Sequence, residues 1–406
     1  MFKMLPFEKK ILLPDTNNSD KLSNFLYKDT NMPGLLPDVD PDGLLEYSVV
    51  FTDRSLNHMS KSFQRVMNDI SKTFKKVYKA KAVVVVPGGG TFAMEAVARQ
   101  FATGKRCLVL RNGWFSYRWT QIFDMGDIPL ESIVMKACTV DTGKQAAFAP
   151  APIKEVVATI KAKKPEIVFA PHVETSSGMI LPDDYLGAVA DAVHSVGGLF
   201  VLDCVASGTI WVDMEKTGVD ILITAPQKGW SGSPCSGLVM LSPAAKQKIE
   251  TTVSTSFACD LLKWLKIMEA YEKGGHAYHA TMPTDALRVF RNVMKETESF
   301  GFEKACAKQH ELGDKVKALL KSKNIKIVAA EGFQAPGVIV CYTDDIAIHT
   351  GKKFLDIGIQ TAAGVPLVCD EPEDFQTFRL GLFGLDKLQN IDRTVKKLEA
   401  ALNQAL

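Results

Sequence analysis

Short apolar runs that end in glycine-rich or polar loops recur through the middle of the chain. These runs are Ala82–Val86, Arg106–Leu110, Glu166–Ala170, Leu199–Leu202, Val219–Thr224 and Leu238–Leu241. Continuous β-branched and apolar runs of this length predict strands that are buried on both faces. Stretches whose apolar residues recur at helical spacing separate the runs, as in 91–101. Strands that alternate with helices predict βαβ units and a mainly parallel sheet, and therefore an α/β fold.

The pattern changes near residue 285. We predict charged helices over 286–307 and 311–323, strands over 325–329 and 338–342, and a final amphipathic helix over 392–406. At 406 residues the chain also exceeds the roughly 250–300 residues that one hydrophobic core supports. We therefore predict an N-terminal arm (1–40), a large domain (41–285) and a small α+β C-terminal domain (286–406).

Composition and charge exclude several classes of protein. Hydrophobic residues make up 46% of the chain and the net charge is +2, which is unlike a disordered chain or one bound to nucleic acid by bulk charge. No run approaches the roughly 18–20 apolar residues of a membrane span, and residues 1–13 lack a signal core. The eight cysteines are scattered, without zinc-ligand spacing. We expect a cytoplasmic protein without a metal, a membrane or a nucleic-acid partner.

Polar and glycine-rich segments follow five of the predicted strands. They are Gly88–Thr91, Gly113–Tyr117, His172–Gly178, Asp203 with Ser207, and Gln227 with Lys228. In a parallel α/β sheet the carboxyl ends of the strands share one edge, where ligands bind. We therefore expect these loops to converge on one site, with a phosphate-binding loop, aromatic rings, one acid and one lysine.

The glycine loop leaves two functional interpretations and one structural interpretation open. The spacing Gly88-x-Gly90-x-x-Ala93 fits a loose dinucleotide fingerprint, in which Arg111 could meet the 2′-phosphate of NADP. Alternatively, backbone N–H groups and the Thr91 hydroxyl at a helix N-terminus could bind a single phosphate. A turn that needs glycine for backbone reasons alone is a third, structural interpretation.

Asp203 and Lys228 form the more specific combination. Alone, Asp203 could be a helix N-cap and Lys228 a solvated surface charge. Together, at the ends of two apolar strands, they match what pyridoxal phosphate (PLP) requires. That cofactor needs a lysine that forms a Schiff base and an acid that pairs with the pyridine nitrogen.

These residues and their neighbours resemble the class V (fold type I) PLP-dependent aminotransferases, particularly the alanine–glyoxylate and serine–pyruvate or serine–glyoxylate enzymes. The resemblance covers residues 50–385. The matching segments, in order, are Gly88–Glu95, Asn112–Arg118, His172–Gly178, Val201–Ser207, Thr224–Gly229, Tyr278–Pro283 and Phe378–Gly384. It implies a large domain with a mainly parallel seven-stranded sheet flanked by helices, followed by a small C-terminal domain.

The resemblance also implies a role for each of several side chains. Lys228 is expected to bond the cofactor and then move protons, and Asp203 to keep the pyridine nitrogen protonated. Phe115, or its neighbour Trp114, is expected to stack on the ring, with Val205 on the opposite face. The remaining implied contacts are the phosphate with Gly90, Thr91 and Gln227, the ring hydroxyl with Thr175, and the substrate α-carboxylate with Arg379. Tyr278 and Thr281 match residues that reach the phosphate from a partner subunit, which implies a homodimer.

The expected function is therefore ping-pong transamination from an alanine- or serine-type amino acid to a 2-oxo acid such as glyoxylate or pyruvate. Pro226 and Ser116 depart from the small hydroxyl residue and the glycine usual in these relatives, which weakens the assignment of one substrate. A PLP-dependent lyase or an aminophosphonate transaminase on the same fold is the nearest alternative. An NADP-dependent oxidoreductase and a non-catalytic relative are the others.

Overall fold

The computed structural model describes residues 55–406, and residues 56–406 form one compact unit. The predicted arm at 1–40 and the start of the predicted large domain lie outside the described residues. The division at residue 285 stays a prediction.

Seven of the strands form one central sheet, as expected. In chain order the strands are β1 (Ala82–Pro87), β2 (Arg106–Arg111), β3 (Glu131–Lys136), β4 (Cys138–Thr139), β5 (Phe148–Ala149), β6 (Ile167–Pro171), β7 (Val173–Glu174), β8 (Met179–Ile180), β9 (Leu199–Asp203), β10 (Ile221–Thr224), β11 (Ser236–Leu241), β12 (Val338–Tyr342), β13 (Ala362–Ala363) and β14 (Thr377–Gly381). The sheet order is β1-β11-β10-β9-β6-β2-β3, in which β11 runs antiparallel to both neighbours and the other pairs are parallel. This confirms the mainly parallel sheet, whereas β3 is a strand that the sequence analysis missed.

The helices alternate with the strands. They are α1 (Lys61–Tyr78), α2 (Gly90–Val97), α3 (Trp114–Gly126), α4 (Ile153–Lys163), α5 (Asp183–His194), α6 (Met214–Thr217), α7 (Pro243–Ile249), α8 (Leu261–Glu272), α9 (Thr284–Phe300), α10 (Phe302–Ser322), α11 (Ile346–His349), α12 (Lys352–Asp356), α13 (Leu385–Gln389) and α14 (Ile391–Ala405). A π-helical turn, Ala98–Ala102, continues α2. Ser60 caps α1 by accepting a hydrogen bond from the Phe63 amide, as a serine at this position commonly does.

The C-terminal part differs in detail from the expectation. The two predicted helices divide at Gly301, whose φ of +99° favours glycine, and not near residue 308. Residues 325–329 do not form a regular strand, because only Ile327 and Ala329 make isolated bridges, to Cys341 and Phe148. A three-stranded sheet, β12-β14-β13, packs with α10 and α14 around a second apolar cluster.

Buried aromatic rings hold the segment that follows Lys228. Trp230 is 1% exposed, and its Nε1 donates to the Tyr78 hydroxyl at 3.2 Å. Its ring also stacks on Phe74 with the centroids 4.4 Å apart. Between Lys228 and Trp230, a Cβ on Gly229 would lie 1.8 Å from the Gly208 carbonyl oxygen, so only glycine permits this approach. The backbone next to the lysine is therefore held in place by its close packing against Gly208.

Two properties expected from the composition concern membranes and cysteines. Within residues 55–406, no helix is both long and apolar enough to cross a bilayer. All eight cysteines are free thiols.

We predict that Phe169→Ala lowers the free energy of unfolding by about 3–5 kcal/mol. Phe169 is fully buried on β6 and its ring contacts Trp119 and Phe123 of α3, so truncation leaves a cavity between sheet and helix. Met125→Ala, on the same helix but 89% exposed, should change stability by no more than about 0.5 kcal/mol. Equal thermal melting temperatures for the two variants would contradict this account of the core.

Candidate active site

A cavity of about 420 Å³ opens at the carboxyl edge of the sheet, a size typical of small-molecule sites. Nine of the eleven residues implied by the resemblance line it: Gly90, Thr91, Phe115, Thr175, Asp203, Val205, Gln227, Lys228 and Arg379. The structure thus brings together residues that are up to 289 positions apart in sequence (379 − 90). Their individual roles toward a ligand stay predictions.

Asp203 is the last residue of the central strand β9 and is 9% exposed. Burial raises the pKa of its carboxyl to about 6, although the Val205 amide, which donates to Oδ1 at 2.9 Å, acts in the opposite direction. An ionised carboxylate at this position is poorly solvated and is stabilised by a cationic hydrogen-bond donor. A protonated ring nitrogen would be such a donor.

Lys228 lies in the loop between β10 and β11 and is partly buried. Its burial lowers the pKa of the ammonium, and the nearby positive charge of Arg379 adds to the effect. The Nζ atom lies 5.6 Å from the centroid of the Phe383 ring. A lysine whose pKa is lowered in this way is more often uncharged and can act as a nucleophile or a base.

The start of α2 has the features of a phosphate-binding site. A Cβ on Gly90 would lie 2.8 Å from a methyl carbon of Val205, so glycine allows the two segments to approach. No side chain caps the N-terminus of α2, and Gly90 and Thr91 of its first turn line the cavity, as at helix ends that bind anions through backbone N–H groups. Gln227 also lines this cavity, and its Oε1 is a buried atom without a hydrogen-bond partner in the described chain. An unpaired amide oxygen at this position would be satisfied by a hydrogen-bond donor of a bound ligand.

Phe115, and not Trp114, lines the cavity. Trp114 instead contacts Tyr117, with ring centroids 5.6 Å apart. The guanidinium carbons of Arg118 and Arg379 lie 5.2 and 5.7 Å from the centroid of the Phe115 ring. The sequence analysis did not single out Arg118, which follows Phe115 by three residues on the same helix.

Arg379 lies in the middle of β14, and a backbone contact fixes one side of its guanidinium. The Nε atom donates to the Ala363 carbonyl of β13 at 2.8 Å. Burial lowers the pKa of the guanidinium, while the carboxylate of Glu174 acts in the opposite direction. Because the Nε donor is used, the two terminal nitrogens are available for a carboxylate, which they can bind through two parallel hydrogen bonds.

Tyr278 and Thr281 are not part of this cavity. Tyr278 is 60% exposed, and its hydroxyl lies 3.4 Å from that of Thr281. His172 is also absent from the lining: it is buried, its Nδ1 lies 2.7 Å from the Ser207 hydroxyl, and burial lowers its pKa to about 4.

The position of Arg111 argues against the dinucleotide interpretation. This side chain is 7% exposed, donates from Nη2 to the Thr120 hydroxyl at 2.9 Å and lies over the Tyr117 ring. It is therefore not available to a 2′-phosphate. Within the described residues, no group of three or more His, Cys, Asp and Glu side chains could hold a metal ion.

Glu174 is a second residue that the sequence analysis missed. Its carboxylate is fully buried and accepts five hydrogen bonds from two segments. The donors are the Phe115 and Ser116 amides at 3.2 and 2.8 Å, the Ser116 hydroxyl at 2.7 Å, and the Ser176 amide and hydroxyl at 3.1 and 2.7 Å. A carboxylate at the first turn of α3 satisfies amides that have no helical partner. Glu174 therefore fixes both the helix that carries Phe115 and the loop that carries Thr175.

Known proteins match this fold and these segments. The family model for class V aminotransferases matches residues 44–373. A protein named soluble hydrogenase, small subunit, from Synechococcus is 26% identical over 86% of this chain and 87% of its own length. Alanine–glyoxylate aminotransferase from Callithrix jacchus is 26% identical over 86% of this chain and 82% of its own. The solved structure of alanine–glyoxylate aminotransferase from Nostoc superposes with a TM-score of 0.72 at 20% identity, covering 86% and 89% of the two chains.

The chain has the fold type I architecture of PLP-dependent transferases. It belongs to the class V aminotransferase family, whose members in general depend on PLP, and it is an aminotransferase.

We predict that Glu174→Gln destabilises the protein by about 2–3 kcal/mol, because an amide nitrogen would face backbone N–H groups that now donate to a carboxylate. Ser176→Ala, which removes one donor and leaves the carboxylate bound by the others, should cost about 1 kcal/mol. Thermal unfolding of the two variants beside the wild type measures the difference. A Glu174→Gln protein as stable as the wild type would show that the network contributes little.

Proposed function

We propose that this aminotransferase uses PLP to move an amino group from an α-amino acid of the alanine or serine type to a 2-oxo acid such as glyoxylate or pyruvate. The observation that carries the proposal is the convergence of Lys228, Asp203 and Arg379 on one cavity. When bound, PLP would supply an electron sink for the bond broken at the substrate Cα.

The residues of the chain divide the remaining work. Asp203 would hold a proton on the ring nitrogen, since its buried carboxylate gains most from a cationic partner. Arg379 would bind the substrate carboxylate and so orient Cα toward Lys228. The amine of Lys228 would take a proton from the substrate Cα and deliver it to the cofactor carbon that is bonded to the transferred nitrogen, which its lowered pKa favours.

The proposed order is ping-pong, with both substrates using the cavity that holds Lys228. One set of residues would bind the amino donor and then, after the oxo acid product leaves, the acceptor. The alanine–glyoxylate activity named for the Callithrix relative supports an α-amino acid donor and glyoxylate as an acceptor. The clamp at Arg379 supports the same substrate class, because both partners carry an α-carboxylate.

We further propose that the enzyme is a homodimer. Tyr278 and Thr281 face solvent, away from the cavity of their own chain, as expected for side chains that serve a neighbouring copy. Val253 and Phe257 precede them in the same part of the chain and are 82% and 78% exposed. Exposed apolar side chains of this size favour burial against a partner.

We predict that Lys228→Ala abolishes the visible absorption band of the lysine-bound cofactor and lowers kcat by about 10²–10⁴-fold. The measurement is an absorption spectrum of the purified protein with added PLP, followed by assay with alanine, serine and a series of 2-oxo acids. Lys154→Ala, at an exposed position of α4, is the control and should retain both signals. If the wild type shows no such band after PLP is added, the proposed cofactor is wrong. Release of ammonia without amino transfer, or amino transfer from an aminophosphonate and not from alanine or serine, would instead favour the alternatives on the same fold.

We predict that Arg379→Ala and Arg379→Lys both lower kcat/KM for α-amino acids, by about 10²-fold or more for alanine, while PLP remains bound. Lysine keeps the charge but cannot form two parallel bonds to a carboxylate, so it should recover little of the loss. Steady-state kinetics beside cofactor absorption separates the two effects. Unchanged kinetics would remove Arg379 from the substrate site.

A further inference from the structure

Arg118 is a cationic side chain of the cavity that the proposed mechanism does not use. It lies on α3, one helical turn after Phe115, and lines the same cavity as Gly90 and Thr91. Two contacts fix its guanidinium. The Nη1 atom donates to the Thr91 hydroxyl oxygen at 2.9 Å, and the guanidinium carbon lies 5.2 Å from the Phe115 ring centroid. The arginine therefore joins the aromatic side of the cavity to the start of α2.

The hydrogen bond from Arg118 determines whether the Thr91 hydroxyl can donate its hydrogen to a ligand. A hydroxyl has one hydrogen to donate and two lone pairs that accept. Because the oxygen accepts from Arg118, the hydroxyl hydrogen is free to point at another group. Thr91 occupies the first turn of α2, where backbone N–H groups already favour an anion. A phosphate there would receive the hydroxyl hydrogen as one more donor.

The charges around Arg118 point in the same direction. In residues 55–406, no carboxylate forms an ion pair with it within 4.0 Å, although its charge acts from farther away to lower the pKa of Asp203. Pro226, beside the cavity residue Gln227, has neither a backbone N–H nor a polar side chain to offer a phosphate. A positive charge at this end of the cavity favours a dianionic ligand group over a neutral one.

We propose that Arg118 is a positioning residue of the phosphate site: it orients the Thr91 hydroxyl as a donor to the cofactor phosphate and adds a positive charge beside it. This inference rests on the proposed function, because the phosphate is that of PLP. It assigns Arg118 to the phosphate and Arg379 to the substrate carboxylate, although both guanidinium groups lie close to Phe115.

The test compares two ligands that differ only in the phosphate. The full-length protein, freed of cofactor, is titrated with PLP and with pyridoxal, and binding is followed by absorbance. Arg118→Gln should weaken PLP binding at least about tenfold and leave pyridoxal binding unchanged within about twofold. Inorganic phosphate should compete with PLP less effectively in the variant than in the wild type. Equal losses for both ligands would indicate general damage to the cavity and overturn the proposal, as would unchanged PLP affinity.

A double-mutant cycle tests the action through Thr91. If Arg118 works through the hydroxyl, Arg118→Gln should weaken PLP binding much less in a Thr91→Val background than in the wild type. Fully additive losses would contradict this route. Arg106→Gln is the matched control, since Arg106 lies at the first position of β2 and pairs with Glu131 at 2.6 Å, at the end of the strand opposite the cavity. If the wild type itself fails to bind PLP, the proposed function fails, which is a different outcome from a wild type that binds and a variant that binds equally.

Discussion

The burial of a carboxylate at the end of the central strand is the constraint on which the rest of the site depends. A carboxylate on the surface would be solvated by water at little cost. Asp203, however, ends β9, which lies between β6 and β10 in the sheet and places the carboxylate at the cavity. A buried acid is unfavourable unless a partner balances its charge. The surrounding chain meets this requirement only in part, through one amide of Val205 and the more distant positive charge of Arg118. The positively charged ring of the proposed cofactor would complete the balance.

The same principle organises the other charged groups. Glu174 is even more deeply buried than Asp203, but five donors satisfy it, so it serves structure. Lys228 has a lowered pKa because it is partly buried and lies near the positive charge of Arg379. Arg379 is held at Nε and open at its terminal nitrogens. The charged group whose hydrogen bonds are complete holds the loops in place, whereas the charged groups that keep unused hydrogen-bonding atoms line the cavity.

The sequence predicted the buried strands and the converging loops because both follow from local patterns. The valine run of β1 is typical of a strand that is buried on both faces, and the carboxyl ends of parallel strands share one edge of the sheet. β3 was missed because its burial is only partial and its apolar run is short. The helix break at Gly301 was misplaced because charged residues continue the helical pattern on both sides.

Within the site, residues next to a strand end could be predicted, and residues defined by tertiary contacts could not. Glu174 meets Ser116 across 58 positions, and Arg118 meets Thr91 across 27. Neither separation has a periodic signal, so only the folded chain shows them. The choice between Phe115 and Trp114 was equally open in the sequence, because adjacent helical residues differ in direction by about 100° and the sequence does not fix the helix's rotation.

The close approach of Gly229 to Gly208 has a consequence for how such an enzyme can diversify. The segment that carries the lysine packs directly on the backbone of Gly208, so the position of the lysine tolerates little change. The cavity is also lined by Val338, Ala362 and Gly381, which lie on the short strands β12, β13 and β14. Enlarging or shrinking those side chains reshapes the space for the donor without moving the lysine. In the proposed enzyme, substitutions on these strands would therefore change the shape of the donor site while the segment that carries the lysine keeps its position.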